Sequence, residues 1–199
     1  MIPRHLIIGV AVLLAITLGM GVYVWRMSGR VDHTQLPAAN TQPVAPPVSG
    51  SSEQVTFYVA YDDAGIFRPK PVRIPLPAGR QERGAEILRA LLTLYEDKFS
   101  PHPLAAGSEI RDVYLVDPGL AVIDLNAVFA DSHRSGVLVE ELTVVSLVQT
   151  LSANIPGITR VKILVEGQER DTLAGHADLS NFYDVPAVTQ VVAQLENAQ

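Results

Sequence analysis

Apolar positions along this chain come in three regimes: one unbroken run near the N-terminus, short alternating runs, and stripes at helical spacing. Leu6 to Trp25 contains no charged residue and is rich in Leu, Ile and Val. As a helix it would extend about 30 Å, the depth of a bilayer core. Tyr23 and Trp25 close the run, and Arg26 follows without a small-x-small cleavage signal, so an uncleaved transmembrane helix is predicted rather than a removed signal peptide. Between Ser28 and Gln54, Pro37, Pro43, Pro46, Pro47 and Ser49-Gly50-Ser51-Ser52 replace large apolar residues. Such a stretch cannot bury a core and predicts a disordered tether.

From Val55 the pattern changes to that of a folded domain. Val55 to Tyr61 is β-branched and aromatic and predicts a strand, with Asp62-Asp63-Ala64-Gly65 as its turn. Val72 to Leu76 predicts a short strand that Pro75 confines to a sheet edge. Glu82 to Glu96 places Leu88, Leu91, Leu92 and Tyr95 on one helical stripe. Ile110 to Val116 and Leu120 to Leu125 are strand-like runs split by Asp117-Pro118-Gly119, in which Pro presets φ and Gly supplies the positive φ of a type II turn or bulged hairpin.

Gly136 to Ala153 reads as a second helix with Leu138, Leu142, Val145, Val148 and Leu151 on a broad face and Glu140 and Glu141 near its start, where the helix dipole favours anions. Its β-branched residues make a strand over Val144 to Val148 the competing reading. Asn154-Ile155-Pro156-Gly157 stops it, and Arg160 to Glu166 reads as the last strand. Val185, Val188, Val191, Val192 and Leu195 suggest a short terminal helix, docked or frayed. The fold class expected is α/β of the α+β type: one small mixed sheet with two helices on one face. The core order is helix-strand-strand-helix-strand, preceded by one or two strands and by the N-terminal transmembrane helix. The domain plan is a short tail (1–5), the membrane helix (6–25), the linker (26–54), the folded domain (55–184) and a terminal helix or frayed tail (185–199).

This layout resembles the GerMN domain family of sporulation and germination proteins. The residues that carry the likeness are Gly107-Ser108, Asp117 to Leu125 (DPGLAVIDL), Phe129, Gln149-Thr150-Leu151 and Val161 to Gly167 (VKILVEG). The family's lipoproteins have a lipidated cysteine and often two copies of the domain, whereas this chain has no Cys and one copy. The resemblance implies an extracytoplasmic module. It thereby orients the anchor, because Arg4 on one side and Arg26 and Arg30 on the other leave the charge rule balanced.

Zero Cys excludes disulfides, thiolate metal sites and Cys nucleophiles. From Val55 onward 12 Lys+Arg face 19 Asp+Glu without long runs of one sign, which argues against a nucleic-acid or anionic-lipid surface there. His5, His33, His102, His133 and His176 never stand three or four apart, so no helical metal pair is expected. Asp62-Asp63 lacks the spaced acids of a calcium loop and is expected to be a solvated turn. Asp131-Ser132-His133 and Asp178-Leu179-Ser180 offer triad residue types without a nucleophile elbow. Asp117, Asp124 and Asp131 recur every seven residues but fall on a turn, a strand end and a loop, not on a catalytic pair. His176 is expected to stabilise a turn by hydrogen bonding.

No catalytic, cofactor or metal residues are therefore expected, and the binding residues stay open. The function expected is a non-catalytic module held in a bacterial cytoplasmic membrane by Leu6 to Trp25, with its domain outside. Its expected partner is an envelope protein, a cell-wall component or copies of itself. A peptidoglycan-acting enzyme or its regulator is the alternative.

Overall fold

Two antiparallel hairpins, each closed by a glycine at positive φ, begin the two sheets of the domain. The computed structural model describes residues 51–116 and 118–196, together with Thr17. All but Thr17 lie in one unit, Pro47–Gln199. The expected membrane helix, nearly all of the linker and Asp117 lie outside the described residues. Among the described residues no helix is long and apolar enough to cross a membrane.

Strands β1 (Ser52–Tyr61) and β2 (Ile66–Pro75) pair antiparallel over their full length through the turn at Gly65, φ 63°. Helix α1 (Arg80–Tyr95) follows, then β3 (Ile110–Val116) and β4 (Leu120–Leu125) as the second hairpin. Gly119, φ 77°, supplies the left-handed residue of its connection, as expected for the Pro-Gly turn. A short α2 (Ala127–Asp131), capped by the Asn126 side chain, and the long α3 (Val137–Asn154) lead to β5 (Arg160–Val165), which runs parallel to β4. Two residues, Tyr183–Asp184, form β6 against β5, and α4 (Val185–Glu196) ends the domain.

The expected single sheet is corrected to two: β1-β2 stands apart from the four-stranded β3-β4-β5-β6. The inner face of the larger sheet, with Val113, Ala121, Ile123, Val161 and Ile163 fully buried, shares one core with α1 and α3. Gly84 brings α1 close enough to Leu151 and Val113 that a Cβ there would meet both at 3.2–3.3 Å. The β1-β2 hairpin lies along α3 instead of extending that sheet. Polar side chains of α3, described next, occupy the edge of β1 where a further strand would have paired.

Two expected elements begin elsewhere than the sequence pattern placed them. β1 starts at Ser52, inside the stretch read as linker, because Glu53 forms a two-pronged ion pair with Arg83 of α1, both contacts at 2.7 Å. β2 starts at Ile66, six residues before the expected Val72, and carries Pro69 and Pro71 as well as Pro75. Its register explains the tolerance. The β1 residues opposite those prolines, Tyr58, Thr56 and Ser52, alternate with the ones that bond β2, so all three prolines sit where an amide would point to the free edge.

Candidate functional site

Helix α3 is buried on nearly every side from Leu142 to Leu151, yet Ser146, Thr150 and Asn154, four residues apart, form a polar stripe along β1. Asn154 Oδ1 accepts from Thr56 N at 2.9 Å and its Nδ2 donates to Thr56 O at 2.8 Å. Thr150 Oγ1 accepts from Tyr58 N at 2.9 Å, and Ser146 Oγ donates to Tyr58 O at 2.6 Å. Because Ser146 has one proton, Tyr95 must donate to it at 2.6 Å, leaving the Tyr95 oxygen to accept from Ala60 N at 2.9 Å. Burial pushes Tyr95 up to about 12, which keeps this donor protonated. The stripe fixes the edge of β1 to the helix.

One face of the hairpin, with Phe57 and Val59 buried at the base, and the flank of α1 enclose an open groove of about 480 Å³. Phe57, Val59, Val72, Ile74, Ala90 and Leu94 make its apolar floor and walls. Tyr61 and Lys70 stand on the hairpin side, and Asp97, Phe99, Ser100 and Pro101 on the loop that follows α1. Phe99 is 83 % exposed although it is a large aromatic residue, with the Lys98 ammonium 4.8 Å from its ring centroid. The lining offers one carboxylate, Asp97, so the paired acids of a glycosidase are not assembled there.

Acid–base groups do converge, but beneath the surface. Asp62 Oδ1 lies 2.5 Å from His102 Nδ1, and His102 Nε2 lies 2.7 Å from Thr143 Oγ1, in the order carboxylate, imidazole, hydroxyl that nucleophilic catalysis uses. His102 and Thr143 are fully buried, and Thr143 is also held by His133 Nε2 at 2.7 Å and by the Val139 carbonyl at 2.9 Å. No substrate reaches that hydroxyl. Asp62, expected in a solvated turn, is thus a part-buried partner, also paired with Arg134. Burial would raise its pKa, but the hydrogen bonds and charges of His102 and Arg134 outweigh it and hold the carboxyl below its usual range. Burial pushes His133 down.

The other acids are dispersed. Asp124 accepts from Gly167 N and pairs with Arg111, while Asp131 pairs with Arg170. Asp178 closes a local turn on Ser180. His5, His33 and Asp117 lie outside the described residues. His176 does brace its loop, but through Glu140: this buried carboxylate accepts from the amides of Gly136, Ala174, His176 and Ala177 and from His176 Nδ1, all at 2.9–3.0 Å. Desolvation opposes the charge, yet those donors lower Glu140 to about 2. Among the described residues no cluster of three His, Cys, Asp or Glu could hold a metal.

Sequence reasoning missed the groove, whose walls come from three separated segments. It also missed the buried network. The spacing of Ser146, Thr150 and Asn154 four residues apart was the available signal for the β1 contact.

A family model described as "Germane: Sporulation and spore germination" matches residues 56–171, from β1 to the loop after β5. The chain belongs to the Germane family. The match spans both hairpins and α3 and omits β6 and α4. Among solved structures, the tandem GerMN domains of the sporulation protein GerM from Bacillus subtilis share the Germane fold at TM-score 0.52 and 18% identity, over 67% of this chain and 46% of that one. The chain thus spans about half of the tandem. The first GerMN domain of GerM alone gives TM-score 0.46 and 17% identity over 64% of this chain and 92% of that one. A candidate lipoprotein from Clostridium perfringens gives 0.47 and 21% over 71% and 92%. The comparison with curated proteins yields no match.

Proposed function

We propose that this Germane domain is a non-catalytic binding module, tethered to the outer side of the bacterial cytoplasmic membrane through Leu6 to Trp25, whose groove receives an apolar segment of an envelope protein. The observation that carries the reading is a contrast of access: the exposed concavity is apolar, whereas the acid–base constellation is sealed. An apolar floor with Lys70 and Asp97 at its rim suits the side chains and backbone of a peptide and offers few partners to sugar hydroxyls. Self-assembly by strand addition is disfavoured at β2, where prolines remove three outward amides. The family's link to sporulation and germination supports an envelope role.

The test is a photocrosslinking residue at Leu94 or Ile74 in the full-length chain, followed by pull-down from detergent-solubilised membranes. The expected result is an envelope protein crosslinked at both sites and displaced by Ala90→Glu on the part-buried groove wall. Crosslinks confined to sites outside the groove would overturn the assignment, and release of wall fragments by the purified full-length chain would overturn the non-catalytic reading.

A further inference from the structure

The network around Thr143 has more acceptors than one hydroxyl proton can serve. His102 Nδ1 faces the Asp62 carboxylate at 2.5 Å and His133 Nδ1 faces the Arg134 carbonyl at 2.8 Å. Both partners only accept, so each ring holds a proton on Nδ1 and turns Nε2 toward Thr143 Oγ1 at 2.7 Å. The Val139 carbonyl is a third acceptor on the same hydroxyl. With both rings neutral, one bare Nε2 would face the oxygen with no proton between them. One added proton removes the conflict: His102 Nε2–H donates to Thr143, and the Thr143 hydroxyl donates to His133 Nε2. The Asp62 carboxylate places that proton's charge on His102.

A second added proton also satisfies the hydrogen bonds, with both rings donating to Oγ1 and the hydroxyl turned to Val139. It sets two imidazolium rings with centroids 6.4 Å apart in a buried site beside the Arg134 guanidinium. The groups facing the pair are Asp62 from the β1-β2 turn, Tyr95 of α1 edge-on to His102 at 4.8 Å, Arg134 before α3 and Glu140 within it. Of the two anions, Glu140 is already committed to its own donors.

His102 ends the loop that forms one wall of the groove. Its amide bonds Ser100 Oγ at 3.2 Å, and the carbonyl of Pro101 accepts from Asp62 N at 3.1 Å. We propose that His102, Thr143 and His133 form a proton-operated latch that holds the Phe99 loop against the β1-β2 turn with one shared proton and loosens it when a second is taken up in acid. The effect on ligand binding rests on the groove reading above; the latch itself does not.

The full-length chain in lipid nanodiscs provides two readouts. With 15N-labelled histidine at about pH 7.5, the ring in contact with Tyr95 should carry protons on both nitrogens. The ring lost in His133→Gln should be neutral with its proton on Nδ1. Two neutral or two charged rings would overturn the assignment. Since the chain has no Cys, Phe99→Cys accepts a single spin label. The label's mobility should rise between about pH 7.5 and about pH 5, stay unchanged over that range in His133→Gln, and respond to pH as before in Thr143→Ser. Unchanged mobility across that range, or the same rise in His133→Gln, would overturn the latch. A latch that passes beside a groove that crosslinks to nothing refutes the groove reading alone.

Discussion

Asn154 clasps Thr56 from both sides, accepting from its amide and donating to its carbonyl at 2.9 and 2.8 Å, as a neighbouring strand would. The side chain ends α3 and replaces the strand that β1 lacks on that edge. Asn154→Ala leaves two backbone groups without these partners and is expected to cost about 2 kcal/mol, read as a lower Tm with unchanged helix content. Ser146→Ala should cost a similar amount, about 2 kcal/mol, because Tyr58 O and the Tyr95 hydroxyl both lose their partner. An unchanged Tm in both variants would mean that water substitutes freely for the stripe.

At the second hairpin, Gly119→Val meets two obstacles. The residue has φ 77°, and a Cβ would lie 2.7 Å from Thr159 Oγ1 and 2.9 Å from the Gly157 carbonyl. A loss of about 2 kcal/mol or more is expected in thermal melting. Wild-type stability would show that the turn relaxes without cost.

Glu140 gives stability a pH dependence with a definite sign. Its folded pKa, about 2, lies below the ordinary 4.5, so its contribution is present above pH 4.5 and is lost as pH falls through about 2. Glu140→Gln should lower the neutral-pH Tm and flatten the acid limb. A parallel downward shift at every pH would contradict the linkage.

The domain boundary is testable by truncation. A fragment beginning at Ser51 keeps the Glu53 to Arg83 ion pair and the first three residues of β1, whereas one beginning at Val55 loses both. Both should give mixed α/β circular dichroism, with the longer fragment melting at the higher temperature. Equal melting would leave the first three residues of β1 without energetic weight.

Export predicts that protease added to intact spheroplasts removes the domain and leaves a short anchored stub. Protection until lysis would place the domain in the cytoplasm and remove the basis for an envelope partner.

Local chemistry made much of the domain legible. Pro118-Gly119 between two apolar runs specified the β3-β4 hairpin, the stripe Leu88, Leu91, Leu92 and Tyr95 specified α1, and Pro156-Gly157 marked the end of α3. In each case the signal and the structure it determines lie within a few residues of one another. β2 was harder to read because prolines suppress strand propensity, and only pairing with β1 shows that their missing amides face a free edge. The separation into two sheets, the groove and the Asp62, His102, Thr143 and His133 network depend on contacts between separate segments, with Asp62 40 residues from His102 and His102 41 from Thr143. A lone Asp, a lone His and a Thr inside an apolar helix have no shared spacing along the chain. Their hydrogen bonds exist only after hydrophobic burial of α3 has brought its polar stripe against β1, so tertiary packing decided them.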